Sequence, residues 1–320
     1  MMYTNHSNIS LPLAVFLATD EYDHEDGVIS ATTLLKPIRQ VVLTQRLNKD
    51  EVAVDISNLV SSRMGTAIHT AIEKAWLNPS KALADLGYSP KLIERIKVNP
   101  DTVNKGDIPV YMEKRSYKQV GKYKVSGKFD FVAEGRVQDF KSTSVFTYLN
   151  QSNANKYALQ GSIYRWLNPD IITQDTMTIH YVFTDWNKVE ATRNKNYPAN
   201  RVLSQQYTLM SIADTDRFVK SIISNIDKYK NVPEPELPYC TDEDLWRKPT
   251  VWKYYKNPNK LERSTKNFET QSDALAQLVK DGSVGIVKEV KGQVVACRYC
   301  PVFHLCTQKD KFINTGELTL

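Results

Sequence analysis

KYKVSGKFDFVAEGRVQDFKSTS, residues 122–144, spells two short strands joined by a tight turn. In its first half Tyr123, Val125, Phe129 and Phe131 alternate with Lys124, Ser126, Lys128 and Asp130, the period of a half-buried strand. Glu134-Gly135 supplies the turn, because glycine accepts the backbone that a hairpin needs. In the second half Val137, Asp139 and Lys141 share one face while Gln138 and Phe140 take the other. Asp139 and Lys141 therefore stand one strand repeat apart, roughly 7 Å along the backbone. Carboxylates brought close on adjacent strands, here Asp130 and Asp139, repel by about 4 kcal/mol at roughly 4 Å and an effective dielectric of about 20. A divalent cation between them removes that cost, and hard oxygen ligands suit magnesium or manganese. A lysine beside the metal can orient and help deprotonate a water for attack on a phosphodiester. The plain alternative is a polar hairpin carrying an ordinary surface ion pair.

The chain has 320 residues, 41% hydrophobic and 24% charged, enough for one large domain or for a core with an appendage. No apolar run approaches the length of a membrane span. The early LPLAVFLA is short and lacks a basic leader, so a cytoplasmic protein with no membrane partner is expected. The net charge is +6, and its location is informative. Seven basic residues and one acid, Glu262, lie between Arg247 and Lys266, and the rest of the chain balances at 35 of each sign. Aromatic residues interleave with that stretch, giving cations for phosphates and flat rings for bases. Arg247, Lys248, Trp252, Lys253, Tyr254, Tyr255 and Lys256 are accordingly the candidate nucleic-acid-binding residues. A solvated basic loop is the other reading.

Residues 1–54 read as an N-terminal helical arm, with Ser30 as a cap and Pro37 as a break in the helical stretch 30–47. Residues 55–76 read as a better helix, in which Leu59, Met64, Ile68, Ile72 and Trp76 recur at spacings of mostly four. Gly65, His69 and Glu73 form a second stripe. The glycine lets another backbone come close beside an imidazole, and His69 could complete the carboxylate site. Glu73 reads as an exposed partner or a support for His69. Residues 109–117 form a strand leading into the hairpin, and Glu113 on it could face the metal. A helix at 156–167 sets Gln160 and Tyr164 one turn apart on one face. Strands at 177–186 and 202–209 and an amphipathic helix at 211–230 complete a core over residues 55–232.

Residues 233–320 read as a basic and aromatic extension that begins in a proline-rich passage. All four cysteines lie here: Cys240, then Cys297, Cys300 and Cys306 in CRYCPVFHLC. Four thiolates are the complement of a zinc ion or a [4Fe-4S] cluster, and disulfides are disfavoured in the expected compartment. His304 lies within the cluster and could replace a cysteine on zinc. Either metal would close residues 240–306 into a loop carrying the basic segment.

Taken together, GTAIH (Gly65 to His69), GKFD (Gly127 to Asp130), Asp139-Phe140-Lys141 and QGSIY (Gln160 to Tyr164) resemble, in order, the motifs of the RecB-like branch of the PD-(D/E)XK nuclease superfamily. They span about a third of the chain. The cysteine cluster is similar to the iron–sulfur staple of AddB-type and CRISPR-adaptation nucleases, although Cys240 follows the nuclease motifs where the lone cysteine of those relatives precedes them. The general pattern is also similar to nucleases encoded by bacterial viruses. The resemblance implies an α/β fold, a restriction-endonuclease-like mixed sheet flanked by helices. It implies that His69, Asp130, Asp139 and the Phe140 carbonyl hold a magnesium or manganese ion, that Lys141 is the catalytic lysine, and that Gln160 and Tyr164 position the DNA strand or brace the lysine.

The expected protein is thus a metal-dependent DNA nuclease, favoured as an exonuclease on DNA ends or single strands, serving recombination, replication or genome degradation, where it could meet a protein partner. One rival is a nuclease-fold scaffold that holds DNA for such a partner without cutting. The intact Asp130, Asp139 and Lys141 argue against it, since a pure binder has no use for an acidic pair in a DNA groove. Another is a structural metalloprotein assembled through its cysteines.

Overall fold

The computed structural model describes residues 2–19, 25, 27–48 and 53–319. In chain order its elements begin with β1 (Met2–Thr4), α1 (Leu11–Ala18), β2 (Val28–Ser30), α2 (Ile38–Gln45), β3 (Ala53–Asp55), α3 (Val60–Leu77), α4 (Ser80–Asp85) and α5 (Pro90–Arg95). They continue with β4 (Ile96–Val98), β5 (Ile108–Val120), β6 (Tyr123–Ala133), β7 (Arg136–Thr143), α6 (Val145–Leu149), α7 (Ala154–Leu167), β8 (Thr176–Phe183), α8 (Lys188–Arg193), β9 (Val202–Thr208) and α9 (Ile212–Tyr229). β10 (Val251–Tyr255), β11 (Lys266–Phe268), α10 (Gln271–Lys280), β12 (Ile286–Val290) and α11 (Gln308–Asn314) follow. The chain divides into two compact units, Met1–Leu35 with Asn48–Ser224 and Lys36–Leu47 with Asn225–Leu320.

The first unit is a mixed sheet in the order β4-β5-β6-β7-β8-β9, with β2 added beside β6, and helices on it. The quoted hairpin lies at its centre. Glu134 and Gly135 both take positive φ, 50° and 74°, the two-residue turn whose twist matches that of the strands. β5, β6 and β7 are antiparallel neighbours, whereas β7 and β8 run parallel, so the chain between them crosses over through α7.

β6 changes neighbours along its length. Lys124, Val125 and Ser126 pair with β2, and Phe131, Val132 and Ala133 pair with β7. Among the described residues, 127–130 have no strand on that side. The sheet forks here, immediately after the position where Asp130 would face Asp139.

Two helices fix what surrounds the fork. Trp76 near the end of α3 packs edge-on to Phe131 at 4.9 Å, in a cluster with Val110, Met112 and Phe140. His69 stands two turns earlier on the same helix face and is carried to the fork by that anchor. A Cβ on Gly65 would lie 3.3 Å from Ser142 Oγ, the close approach expected of this glycine. Met64, by contrast, is 48% exposed, and no residue of α3 is fully buried, so the expected apolar stripe works mainly through its C-terminal end. On α7, Tyr164 lies over Gly127, where a Cβ would come within 3.1 Å of its ring and 2.6 Å of Leu167.

The described residues of 1–54 do not form a single helical arm; residues 20–24, 26 and 49–52 of that expected arm lie outside the described residues. β2 joins the main sheet, Ser30 Oγ accepts from the Thr33 amide to cap a short 3-10 turn, and α2 begins only after Pro37. α2 belongs to the second unit, where Val42 and Leu43 pack with Leu237 and Val302. That unit also holds a three-stranded antiparallel sheet, β11-β10-β12, with α10 against it. Among the described residues no helix is long and apolar enough to cross a membrane.

Candidate active site

The fork opens into a cleft of about 730 Å³ in the first unit, lined by His69, Asp130, Asp139, Lys141, Gln160 and Tyr164 among others. The four sequence motifs thus converge on one cavity. His69 Nε2 lies 2.7 Å from the Phe140 carbonyl, which can only accept, and Nδ1 lies 3.1 Å from Asp130 Oδ2. The Phe140 amide donates to the same Asp130 oxygen at 3.3 Å. Lys141 Nζ donates to Asp139 Oδ1 at 2.9 Å and lies 2.6 Å from Oδ2 as an ion pair. Asp139 is 1% exposed, and the Lys141 ammonium reaches both of its oxygens.

Burial pushes the Asp139 carboxyl up to about 7; the Lys141 ammonium opposes that shift and the Asp130 charge adds to it. Asp130 is held down at about 2: burial works to raise it, but its bonds with His69 and Asp139 and the Lys141 charge outweigh burial. Burial would lower the His69 pKa, yet Asp130, Asp139 and the Phe140 carbonyl hold it above its ordinary value. An imidazolium donating from both nitrogens fits those partners. Lys141 is likewise held above its ordinary value, burial being outweighed by Asp139 and Asp130. The expectation that the lysine helps deprotonate a water does not suit this state: an ammonium can orient a water or donate a proton, but it cannot accept one.

The donors fit a hard divalent cation. His69, Glu113 and Asp130 each offer an atom within 4.8 Å of the others, combining an imidazole with two carboxylates. Asp139, expected as a ligand, stands beside this set and is engaged by Lys141. Because a ligand must shed its proton to bind metal, protonation of Asp139, pushed up to about 7, and of His69, held above its ordinary value, competes with the cation. Manganese affinity is expected to fall as pH drops from about 8 to about 6, roughly tenfold per pH unit for each proton displaced. Calorimetric titrations across that range check this, and a flat profile would contradict it.

Gln160 Nε2 donates to the Tyr164 hydroxyl at 2.8 Å, so the expected pair forms, with Tyr164 4% exposed. The sequence reading missed other cleft residues. Arg63, Arg115 and Lys128 bring positive charge to its wall, and Ser62, Thr66 and Thr70 line it from α3. The four-residue spacing of those hydroxyls beside the Gly65–His69 stripe was the available signal. Tyr157 carries the Lys141 ammonium 5.8 Å from its ring centroid.

The candidate nucleic-acid-binding residues of the second unit need correction. Tyr254 and Tyr255 are 0% and 6% exposed, so neither ring can stack on a base. The Tyr254 hydroxyl donates to Asp281, just past α10, at 3.0 Å, with the Val284 carbonyl an alternative acceptor at 3.2 Å. Arg247 is engaged by Asp242 at 2.7 Å and Glu317 at 2.5 Å. Trp252 and Lys253 are half-buried on β10, while Lys248 and Lys256 are exposed.

All four cysteines are free thiols. Cys300 and Cys306 pack on the Val42, Leu43, Leu237 and Val302 cluster, and Cys240 and Cys297 on Leu245, Val294 and Phe312. The buried Arg39 guanidinium donates to Cys306 Sγ at 3.1 Å and to the Leu237 carbonyl at 2.8 Å. Burial pushes Cys240 up to about 12 and Cys297 up to about 11, with the neighbouring cysteines adding to both shifts. The four are therefore neighbours. Tetrahedral zinc at about 2.3 Å would need sulfurs about 3.8 Å apart.

No family model matches the chain, and no curated protein matches it. Among solved structures, a protein named SSO0001 is similar at 15% identity and TM-score 0.42, over 70% of this chain and 89% of that one. A phage related exonuclease from Haemophilus somnus 129PT is similar at 17% identity and TM-score 0.26, over 38% of this chain and 60% of that one.

Proposed function

We propose that the protein is a divalent-metal-dependent deoxyribonuclease of the RecB-like PD-(D/E)XK type, acting as an exonuclease on DNA ends or single strands. The observation that carries the reading is the meeting of an imidazole, acidic side chains and a buried amine in one cleft where β6 and β7 part. His69, Asp130, Asp139 and the Phe140 carbonyl would hold magnesium or manganese. When bound, the cation would lower the pKa of water and offset charge developing on the phosphoryl oxygens.

The side chains divide the remaining work. Asp139, poised near 7, can accept a proton from the attacking water at neutral pH. The water oxygen bonds to phosphorus as the bond from phosphorus to the 3′ oxygen breaks, and the departing oxygen takes a proton from solvent, leaving a 5′-phosphate and a 3′-hydroxyl. Lys141, kept as an ammonium, orients the water and steadies the anionic phosphate. Gln160 braces Tyr164 at the wall, and Arg63 and Arg115 face the DNA backbone. Incubation with end-labelled single- and double-stranded DNA in magnesium, manganese or chelator tests this. Metal-dependent loss of label is expected, and intact DNA under every condition would refute it.

In the second unit, Cys240, Cys297, Cys300 and Cys306 would hold a [4Fe-4S] cluster. Four thiols that are electrostatic neighbours of one another support a thiolate-bound metal, with zinc as the alternative. Cys300→Ser is expected to lose essentially all bound iron and to lower folding yield, as read by metal analysis and soluble expression. Full metal content in the variant would contradict the assignment.

A further inference from the structure

Glu113 is the one residue near the cleft whose backbone defies its own type. It lies within β5 at φ 49°, in the left-handed region that glycine accepts and glutamate adopts only at a cost. Its position is the single break in the β5–β6 ladder. Met112 pairs with Phe131 and Lys114 with Phe129, but Glu113 and Asp130, which should face each other, do not pair. The unusual backbone coincides with a functional grouping, since the Glu113 carboxylate comes within 4.8 Å of donor atoms on both His69 and Asp130. On its other side it forms an ion pair with Lys128 at 2.5 Å. The neighbouring Asp139, buried and held by Lys141 at 2.6 Å, lines the same cleft.

Resting on the nuclease reading above, we propose that Glu113 is itself a ligand of the cation held by His69 and Asp130. It exchanges its Lys128 partner for the metal. Three facts fit together on this assignment. The distorted backbone turns an otherwise ordinary strand residue towards the imidazole. Lys128 supplies the positive charge that balances the carboxylate before the cation arrives. Once released, its amine lies on the wall of the cleft beside Arg115, where a DNA phosphate can take it. Cation binding and substrate binding are thereby coupled through one side chain.

The test is manganese binding to the full chain, followed by electron paramagnetic resonance so that no turnover is needed. Glu113→Gln is expected to weaken manganese binding by at least about tenfold, since even outer-shell partners are worth that much. Lys128→Ala is expected to tighten it a few-fold by removing the competitor. Glu113→Gly should raise the melting temperature of the metal-free protein by relieving the φ strain, while still losing affinity. Asp130→Asn serves as the reference. Loss of binding in Asp130→Asn with unchanged binding in Glu113→Gln would overturn the role of Glu113 and leave the nuclease reading standing. Unchanged binding in both would overturn both. Unchanged affinity in Lys128→Ala would overturn the exchange.

Discussion

Lys141→Ala is expected to cut DNA about 10²–10³-fold more slowly than the wild type, the usual worth of one positioned donor that stabilises developing negative charge. The fold should survive the change. Truncating one partner of a buried ion pair ordinarily costs about 3–5 kcal/mol, because the other charge is left stranded. Here the stranded group is Asp139, already pushed up to about 7 by burial, so it can take a proton near neutral pH and become uncharged. Single-turnover cleavage with circular dichroism separates the two effects. Turnover within about twofold of wild type would remove Lys141 from the chemistry. Loss of the folded spectrum would mean that the pair holds the sheet together.

Asp139→Asn should have a comparable effect on cleavage and an opposite effect on DNA binding. The substitution keeps shape but abolishes a carboxylate that both repels phosphate and accepts the proton. Cleavage is expected to fall by about 10²–10⁴-fold, while affinity for a short single strand holds or improves. This variant distinguishes an enzyme from a scaffold. A protein that only grips DNA would show no cleavage in the wild type and no functional change in the variant. Filter binding and cleavage measured on the same preparations give the answer.

The parts of this site that were legible in the sequence are those set by short-range geometry. Glu134-Gly135 announces a two-residue turn, and that turn fixes which residues of β6 and β7 meet. Asp139 and Lys141 must share a strand face because they are two apart. His69 and Trp76, two helical turns apart, must share a helix face, and Trp76 is apolar enough to dock. The rest depended on distant chain. Nothing near Glu113 marks a left-handed backbone; the distortion arises where β5, β6 and α3 meet. Tyr254 and Tyr255 looked like stacking rings because lysines flank them. β10 is the central strand of its sheet, and Asp281, just past α10 in the chain, holds the Tyr254 hydroxyl. The route of residues 1–54 was equally hidden. β2 is three residues long, too short to show a period, and it is the pairing with β6 that makes it a strand.

A crystal soaked in manganese and measured at the manganese absorption edge tests the central claim most directly, that these side chains gather around one cation beside Lys141. An anomalous peak about 2 Å from a His69 ring nitrogen and an Asp130 oxygen, within reach of Asp139 and the Phe140 carbonyl, is the expected result. A peak elsewhere, or none at saturating manganese, would contradict it.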